Sequence, residues 1–298
     1  GEGLVRGRRG DPGGGVGEVG FVAGLHFWKV HGNGNDFVIL DDRIGEVSRE
    51  RDLPSLTVRA CARKTGLGAD GVLLIQEGQK EGLFRMRLFN ADGSEGEMCG
   101  NGARCFARML HRLGLAGAEP VFLTGLGPVT AQVEGERVRL EMGEIDLAGG
   151  WFDEPLEDRD LPPGTRWSFM KVGVPHAVLW ADSWQDVPEG TLRWIGKKYR
   201  HHPRCPQGAN VNFAAPEAGA LRVRTYERGV EDFTDSCGTG SCACGVVAVL
   251  RGGPSPVEVR NPGGMNLVGC RIRGGKAVLS LAGAAVFVAE GVWETEGA

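Results

Sequence analysis

The sequence predicts an α/β (α+β) protein assembled from two similar halves. Three observations lead there. Its 298 residues suit two domains of about 100–150 residues each better than a single core. Fifty glycines and 15 prolines break short apolar runs at close intervals, the pattern of many strands joined by tight turns. A Cys-Gly-x-Gly turn occurs twice, as CGNG at 99–102 and CGTG at 237–240, each time leading into a helix of small residues.

The elements follow in order. DFVILDD (36–42) is apolar and β-rich and reads as a strand, and 55–64 suits a short helix stopped by Thr65-Gly66. GVLLIQ (71–76) and LFRMRLF (83–89) are strands, the second setting Leu83, Arg85 and Arg87 against Phe84, Met86 and Leu88. NADG (90–93) is a turn. Beyond Cys99, residues Ala103, Phe106, Ala107, Leu110 and Leu113 recur at helical spacing, and Gly114 takes the position that ends a helix. RVRLEM (137–142) alternates as a strand. The second half repeats the order: strand, turn and strand over 170–180, a helix over 192–199, strands at 209–215 and 221–227, then the second cysteine turn and its helix through Leu250. Short strands at 256–260, 267–272 and 277–281 complete it. Internal duplication accounts for the doubled turn.

Composition excludes several function classes. A 41% hydrophobic and 24% charged chain is ordinary for a globular protein. The net charge of −4, with no basic block beyond the opening residues, speaks against nucleic acid and anionic membranes as partners. No apolar run approaches the roughly 18 residues of a membrane helix. Residues 1–25 are glycine-rich and are expected to form a disordered leader or expression remnant outside the fold. Eight cysteines lack zinc-site spacing and are too few for a disulfide scaffold. No metal site is expected, and the free thiols point to the reducing cytoplasm.

The repeated turn carries the chemistry. A cysteine just ahead of a helix faces unpaired backbone N–H groups and the positive end of the helix dipole, an arrangement expected to lower its pKa. Glycines one and three residues on let a carboxylate approach those N–H groups. One such turn fits a nucleophilic cysteine. Two fit a thiolate that takes a proton from one face of a carbon and a thiol that returns one to the other, the work of a racemase or epimerase. Each helix end supplies about 0.3–2 kcal/mol toward an anion. That is well below the roughly 8–23 kcal/mol of enzymatic catalysis, so exclusion of water and positioning must supply the rest. No P-loop, dinucleotide fingerprint or pyridoxal phosphate lysine stands out, so no cofactor is expected.

Five ordered motifs carry a resemblance. KVHGNGNDFVILD (29–41), FNADGSEGEMCGNGARC (89–105), GVPHAV (173–178), GANVNF (208–213) and YERGVEDFTDSCGTGSCAC (226–244) resemble diaminopimelate epimerases from about His26 to the C-terminus. The resemblance implies two pseudo-symmetric domains, each a β-barrel-like sheet around a central helix, with the active site in the cleft between them. The expected division is 26–141 and 142–283, with a C-terminal strand in 284–298 returning to the first domain. It also implies cofactor-free interconversion of LL- and meso-diaminopimelate by a homodimer in lysine and peptidoglycan precursor biosynthesis.

Residue by residue, Cys99 matches the proton donor and Cys237 the acceptor in the LL-to-meso direction. Gly100, Asn101, Gly238 and Thr239 match the cradle for the reacting carboxylate, and Asn35, Asn90 and Asn210 match substrate-binding amides. Glu227 and Arg228 match a substrate ion-binding pair, Arg228 as the clamp on the distal carboxylate. His176 and Glu227 match the residues that set the cysteine pKa values. Val174 stands where many relatives have Asn, Gly71 where some have Gln, and Ala289 where some have a tyrosine linked to dimer contacts. Cys61, Cys105, Cys205, Cys242, Cys244 and Cys270 read as small core hydrophobes. The competing readings are a racemase or epimerase of the same fold for proline, hydroxyproline or histidine, and a non-catalytic binding module, which would lack one or both cysteines.

Overall fold

The computed structural model describes residues 24–295. The leader expected over 1–25 lies outside them except for its last two residues, and Leu25 already belongs to a strand. The first half runs β1 (Leu25–Gly32), β2 (Asn35–Asp41), α1 (Glu46–Glu50), α2 (Leu53–Cys61), β3 (Gly71–Glu77), β4 (Phe84–Asn90), β5 (Glu95–Gly96), α3 (Gly100–Arg112), β6 (Val121–Thr124), β7 (Gly127–Glu134) and β8 (Arg137–Asp146). The second runs β9 (Trp151–Pro155), β10 (Arg166–Val172), β11 (Val174–Trp180), α4 (Glu189–Arg200), β12 (Asn210–Glu217), β13 (Ala220–Glu227), β14 (Asp232–Thr234), α5 (Gly238–Leu250), β15 (Val257–Asn261), β16 (Gly264–Arg273) and β17 (Lys276–Ala284). The last strand, β18 (Val286–Trp293), returns to pair antiparallel with β1.

The two halves share one pairing scheme. In the first, β1–β2 and β3–β4 are antiparallel, whereas β2–β3 and β4–β6 are parallel across the intervening helices. In the second, β10–β11 and β12–β13 are antiparallel, and β11–β12 and β13–β15 are parallel. α2 and α4 occupy equivalent crossovers, as do α3 and α5. The pseudo-symmetry expected from the doubled turn is therefore a property of the strand ladders. β8 and β17 pair antiparallel and join the halves into one continuous sheet.

Each curved sheet wraps its own helix. Phe106, Ala107, Met109 and Leu110 of α3 are fully buried among Val30, Ile39, Leu73, Phe122, Val138 and Leu140. Ala243, Cys244, Val246 and Val247 of α5 are buried among Val178, Val223, Val259, Val268 and Leu279. Small residues on α5 admit close sheet contact: a β-carbon on Gly245 would stand 2.6 Å from Val268 Cγ1. The α3 helix ends in the expected glycine, with Gly114 at φ 68°, its N–H on the His111 carbonyl and the Leu115 N–H on that of Leu110.

Several element boundaries shift: the helix read over 192–199 spans Glu189–Arg200, and the strands read over 137–142 and 277–281 span Arg137–Asp146 and Lys276–Ala284. The helix read over 55–64 starts two residues earlier, where Asp52 caps it by accepting from the Ser55 N–H, and ends at Cys61. The Ala62 N–H turns back to the Arg59 carbonyl instead of continuing the helix. The strand read over 83–89 begins at Phe84, with Phe84, Met86 and Leu88 buried and Arg85 exposed.

Candidate active site

The two cysteines occupy matching positions. Cys99 is the N-cap of α3 with extended backbone (φ −137°, ψ 124°), and Cys237 is the N-cap of α5 (φ −113°, ψ 111°). The helices approach end to end: a β-carbon on Gly238 would lie 3.9 Å from the Gly100 Cα and 2.8 Å from Leu281 Cδ2. One on Gly100 would meet the same leucine atom at 3.4 Å. A side chain at 238 would therefore force Leu281 aside, whereas one at 100 would only touch it. The seam is stitched by Asn101, whose Nδ2 donates to the Ser236 carbonyl at 3.2 Å and to Asn35 Oδ1 at 3.3 Å.

The surroundings of the two sulfurs differ. Cys99 is half-buried, and its Sγ lies 3.5 Å from Asn35 Oδ1, an acceptor, which favours the protonated thiol. Asn35 is oriented by Nδ2, which donates to the Asp70 carboxylate at 2.8 Å, so its oxygen must face the cysteine. Cys237 is buried, and its Sγ receives the Gly240 N–H at 3.4 Å and lies 3.6 Å from Thr239 Oγ1, contacts that favour a thiolate.

Burial outweighs these helix-end contacts. It pushes the Cys99 thiol up, against backbone N–H groups of Gly102 and Asn101 that pull it down, and the Glu227 carboxylate pushes it further. Cys237 is pushed up to about 12 by burial and then by Glu227. The low thiol pKa expected from helix position alone is thus reversed, because desolvation of the sulfurs outweighs the backbone N–H groups that face them. Glu227, at the end of β13, is itself raised by burial, and Thr234 Oγ1 donates to its Oε2 at 2.7 Å.

His176 is fully buried on β11, in register with Asn210 of β12. Its Nδ1 lies 3.2 Å from Asn212 Nδ2, which also donates to the Ala177 carbonyl at 3.0 Å, while Asn212 Oδ1 accepts from Thr225 Oγ1 at 2.9 Å. Nδ1 therefore accepts and the proton sits on Nε2, which has no partner among the described residues. Burial and the nearby Arg228 charge hold this imidazole down to about 3, so it is neutral.

Asn210 is buried, and its Oδ1 accepts the Arg228 N–H at 2.7 Å. The Arg228 guanidinium donates to the Gln207 carbonyl at 3.2 Å and makes no ion pair with Glu227. Asn90 lies apart from the thiols' own contacts, exposed at the end of β4, with Nδ2 on Ser94 Oγ at 3.0 Å.

The pseudo-symmetry aligns these residues. Gly71 pairs with both Phe37 and Asn90, as Asn210 pairs with His176 and lies across from Glu227, one step beyond the Val211–Tyr226 pair. Phe37, Gly71 and Asn90 in one half thus correspond to His176, Asn210 and Glu227 in the other, and Asn35 corresponds to Val174. A glutamine at position 71 would bring its β-carbon to 2.6 Å from the Phe89 carbonyl oxygen, so a side chain here would require the backbone to shift. Ala289 is exposed on β18 opposite Lys29.

Asn212 and Asp70 escaped the sequence reading. Asn212 shares a strand face with Asn210, and that two-residue spacing was the available signal. The remaining cysteines are all buried. Burial pushes Cys61, Cys205 and Cys270 up to about 11 and Cys105 and Cys242 to about 12.

Comparison with known proteins agrees with this geometry. Residues 27–148 and 168–288 match the family model for diaminopimelate epimerase. A diaminopimelate epimerase of Methanothrix thermoacetophila is 39% identical over 286 residues, 91% of this chain and 97% of the relative. One from Moorella thermoacetica is 39% identical over 247 residues, 76% and 85% of the two chains. The fold resembles a PhzF-family phenazine biosynthesis protein of Bacillus anthracis (TM-score 0.68, 15% identity, 91% and 99% covered). It also resembles a hydroxyproline epimerase of Agrobacterium vitis (TM-score 0.64, 18% identity, 93% and 94% covered). With its doubled cysteine caps and a family match across both halves, the chain belongs to the diaminopimelate epimerase family of isomerases.

Proposed function

We propose that this protein interconverts LL-2,6-diaminopimelate and meso-diaminopimelate without a cofactor, by proton exchange between Cys237 and Cys99. The observation that carries the reading is the pair of cysteine caps on helices that meet end to end. In the LL-to-meso direction the Cys237 thiolate takes the α-hydrogen as a proton, leaving its electron pair on the α-carbon and carboxylate. The Cys99 thiol then gives its proton to the opposite face. Asn35 Oδ1 beside Cys99 and the Gly240 N–H on Cys237 support this starting distribution.

The developing negative charge falls on a carboxylate cradled by N–H groups at Gly100, Asn101, Gly238 and Thr239, at the positive ends of α3 and α5. Arg228 holds the distal carboxylate, with Asn35, Asn90 and Asn210 as further substrate contacts. Glu227 faces the substrate ammonium and, with the neutral His176, sets the thiol pair's proton affinity. The thiols share one mobile proton and titrate as a unit.

The two halves, 26–141 and 142–283, act as the two domains of the cleft, with 284–298 returning to the first. The enzyme works in lysine and peptidoglycan precursor biosynthesis, as a cytoplasmic homodimer. The test is deuterium uptake at the α-carbon in D₂O, with LL-diaminopimelate, proline and histidine offered separately. Uptake into diaminopimelate alone is expected. Uptake into proline or histidine in its place overturns the substrate assignment while leaving the two-thiol chemistry.

A further inference from the structure

Arg104 is a buried cation without an anion. It lies on α3, one turn beyond the Cys99 cap, with 0% of its surface exposed. Among the described residues no carboxylate lies within ion-pair distance of it. Its Nη2 donates to Asn101 Oδ1 at 2.7 Å and its Nε to the Ala284 carbonyl at 3.3 Å, while Nη1 has no partner. The seam is shaped around it: a β-carbon on Gly283 would stand 2.9 Å from its Cζ, and one on Gly32 3.3 Å from Nη2.

Enclosing a charge in this way is strongly unfavourable unless something compensates it. The positive ends of α3 and α5, gathered at the same seam, add to the penalty. Burial lowers the Arg104 pKa, yet a guanidinium remains charged at any working pH. The groups facing it from its own helix and from α5 are the thiols of Cys99, Cys105 and Cys242. From β1 it is approached by Gly32 and from β17 by Gly283 and the Ala284 carbonyl, with the neutral Asn266 amide of β16 beside Gly283. Glu227 faces the two reacting thiols and acts on them in the opposite sense.

We propose that Arg104 is the built-in countercharge of Cys99 in the reacting thiol pair, and that through Asn101 it acts as a positioning residue for both sulfurs. The proposal rests on the two-cysteine reading and deepens it. The fork to Asn101 Oδ1 leaves Asn101 Nδ2 to reach Asn35 Oδ1 beside Cys99 and the carbonyl of Ser236 next to Cys237. One side chain thus ties the placement of both sulfurs to a fixed positive charge. The Cys99 thiolate, the form that sulfur takes once it has given up its proton, is stabilised from the inner side of the seam against burial and Glu227.

The experiment measures alkylation of Cys99 and Cys237 by iodoacetamide as a function of pH, read by mass spectrometry, beside the acid limb of kcat/KM. Wild type, Arg104→Gln, Arg104→Met and Arg104→Lys are compared after their folding is checked by circular dichroism. Loss of the charge in the Gln and Met variants should move the acid limb in the meso-to-LL direction and the Cys99 alkylation midpoint upward by about 1–3 pH units, the range for a lost neighbouring charge. Arg104→Lys keeps a charge but not the fork, so its midpoint should stay within about half a unit of wild type while kcat falls. A folded Gln or Met variant with an unmoved midpoint overturns the proposal. If neither neutral variant folds, the lysine variant decides: a midpoint raised as far as one unit, or an unchanged kcat, overturns it. The wild-type arm tests the underlying reading separately, because a protein whose Cys99 and Cys237 resist alkylation at every pH has no thiol pair to support.

Discussion

Acid should destabilise this protein through His176, by an amount its burial sets. In the folded chain the imidazole is held down to about 3, whereas the ordinary value is 6.5. Between those values the unfolded chain binds a proton that the folded chain does not. Stability is therefore intact above about pH 6.5 and falls as the pH drops toward 3. The slope approaches about 1.4 kcal/mol per pH unit, which amounts to about 2 kcal/mol between pH 7.5 and pH 5. Replacing His176 by Gln keeps an acceptor for Asn212 Nδ2 and removes the titration. Urea unfolding of both proteins at the two pH values should show the wild type losing about 2 kcal/mol more than His176→Gln. Comparing the pH dependence, and not the absolute stability, cancels the packing cost of the substitution and the titration of every group the two proteins share. Parallel losses within about 0.5 kcal/mol would refute the reasoning, since His176 would then not be enclosed in its neutral form.

Three further outcomes are expected. Cys99→Ala and Cys237→Ala should each abolish epimerisation, because one face of the carbon loses its proton carrier; retention of more than about one part in a hundred of the rate, measured by substrate racemisation, would end the two-base scheme. Arg228→Ala should lose about 2–4 kcal/mol in kcat/KM for diaminopimelate, as for a charge-assisted contact left unmade, and normal turnover would place the distal clamp elsewhere. Gly238→Ala should damage kcat more than Gly100→Ala, because its β-carbon would meet Leu281 Cδ2 at 2.8 Å instead of 3.4 Å; equal effects in steady-state kinetics would show that the helix ends have slack.

The parts of the fold legible in the sequence were those fixed by local chemistry. α3 and α5 could be read because glycine and cysteine mark their first turns and small apolar residues repeat along them. β3 and β4 could be read from continuous and alternating apolar runs. β1 was hidden by the glycine-rich stretch that runs into it, and β6 is four residues long. β9 is irregular, with a register shift where it meets β10. The site divides in the same way. Cysteine caps announce themselves by neighbouring glycines, whereas the importance of Asn212, Asp70 and Arg104 depends on what encloses them and on which amide atom faces which partner. Burial also reversed one expectation that local reasoning favoured, the lowered thiol pKa at a helix start.

The ladder between β8 and β17 has a mechanical meaning. It is the sole strand pairing between the halves among the described residues, running from Ala284–Arg137 to Lys276–Asp146, and both chain crossings between halves leave from its strands. Forces that separate the halves are then carried by one ladder in the interior of the sheet, where β8 also pairs with β7 and β17 with β16, and by the side-chain bonds across the seam. That ladder is least regular where its register shifts between Leu279 and Ser280, opposite Gly143 at φ 77°. A bend between the halves would be taken up most easily at this short stretch, where the ladder skips a residue, once the Asn101 bonds across the seam are broken.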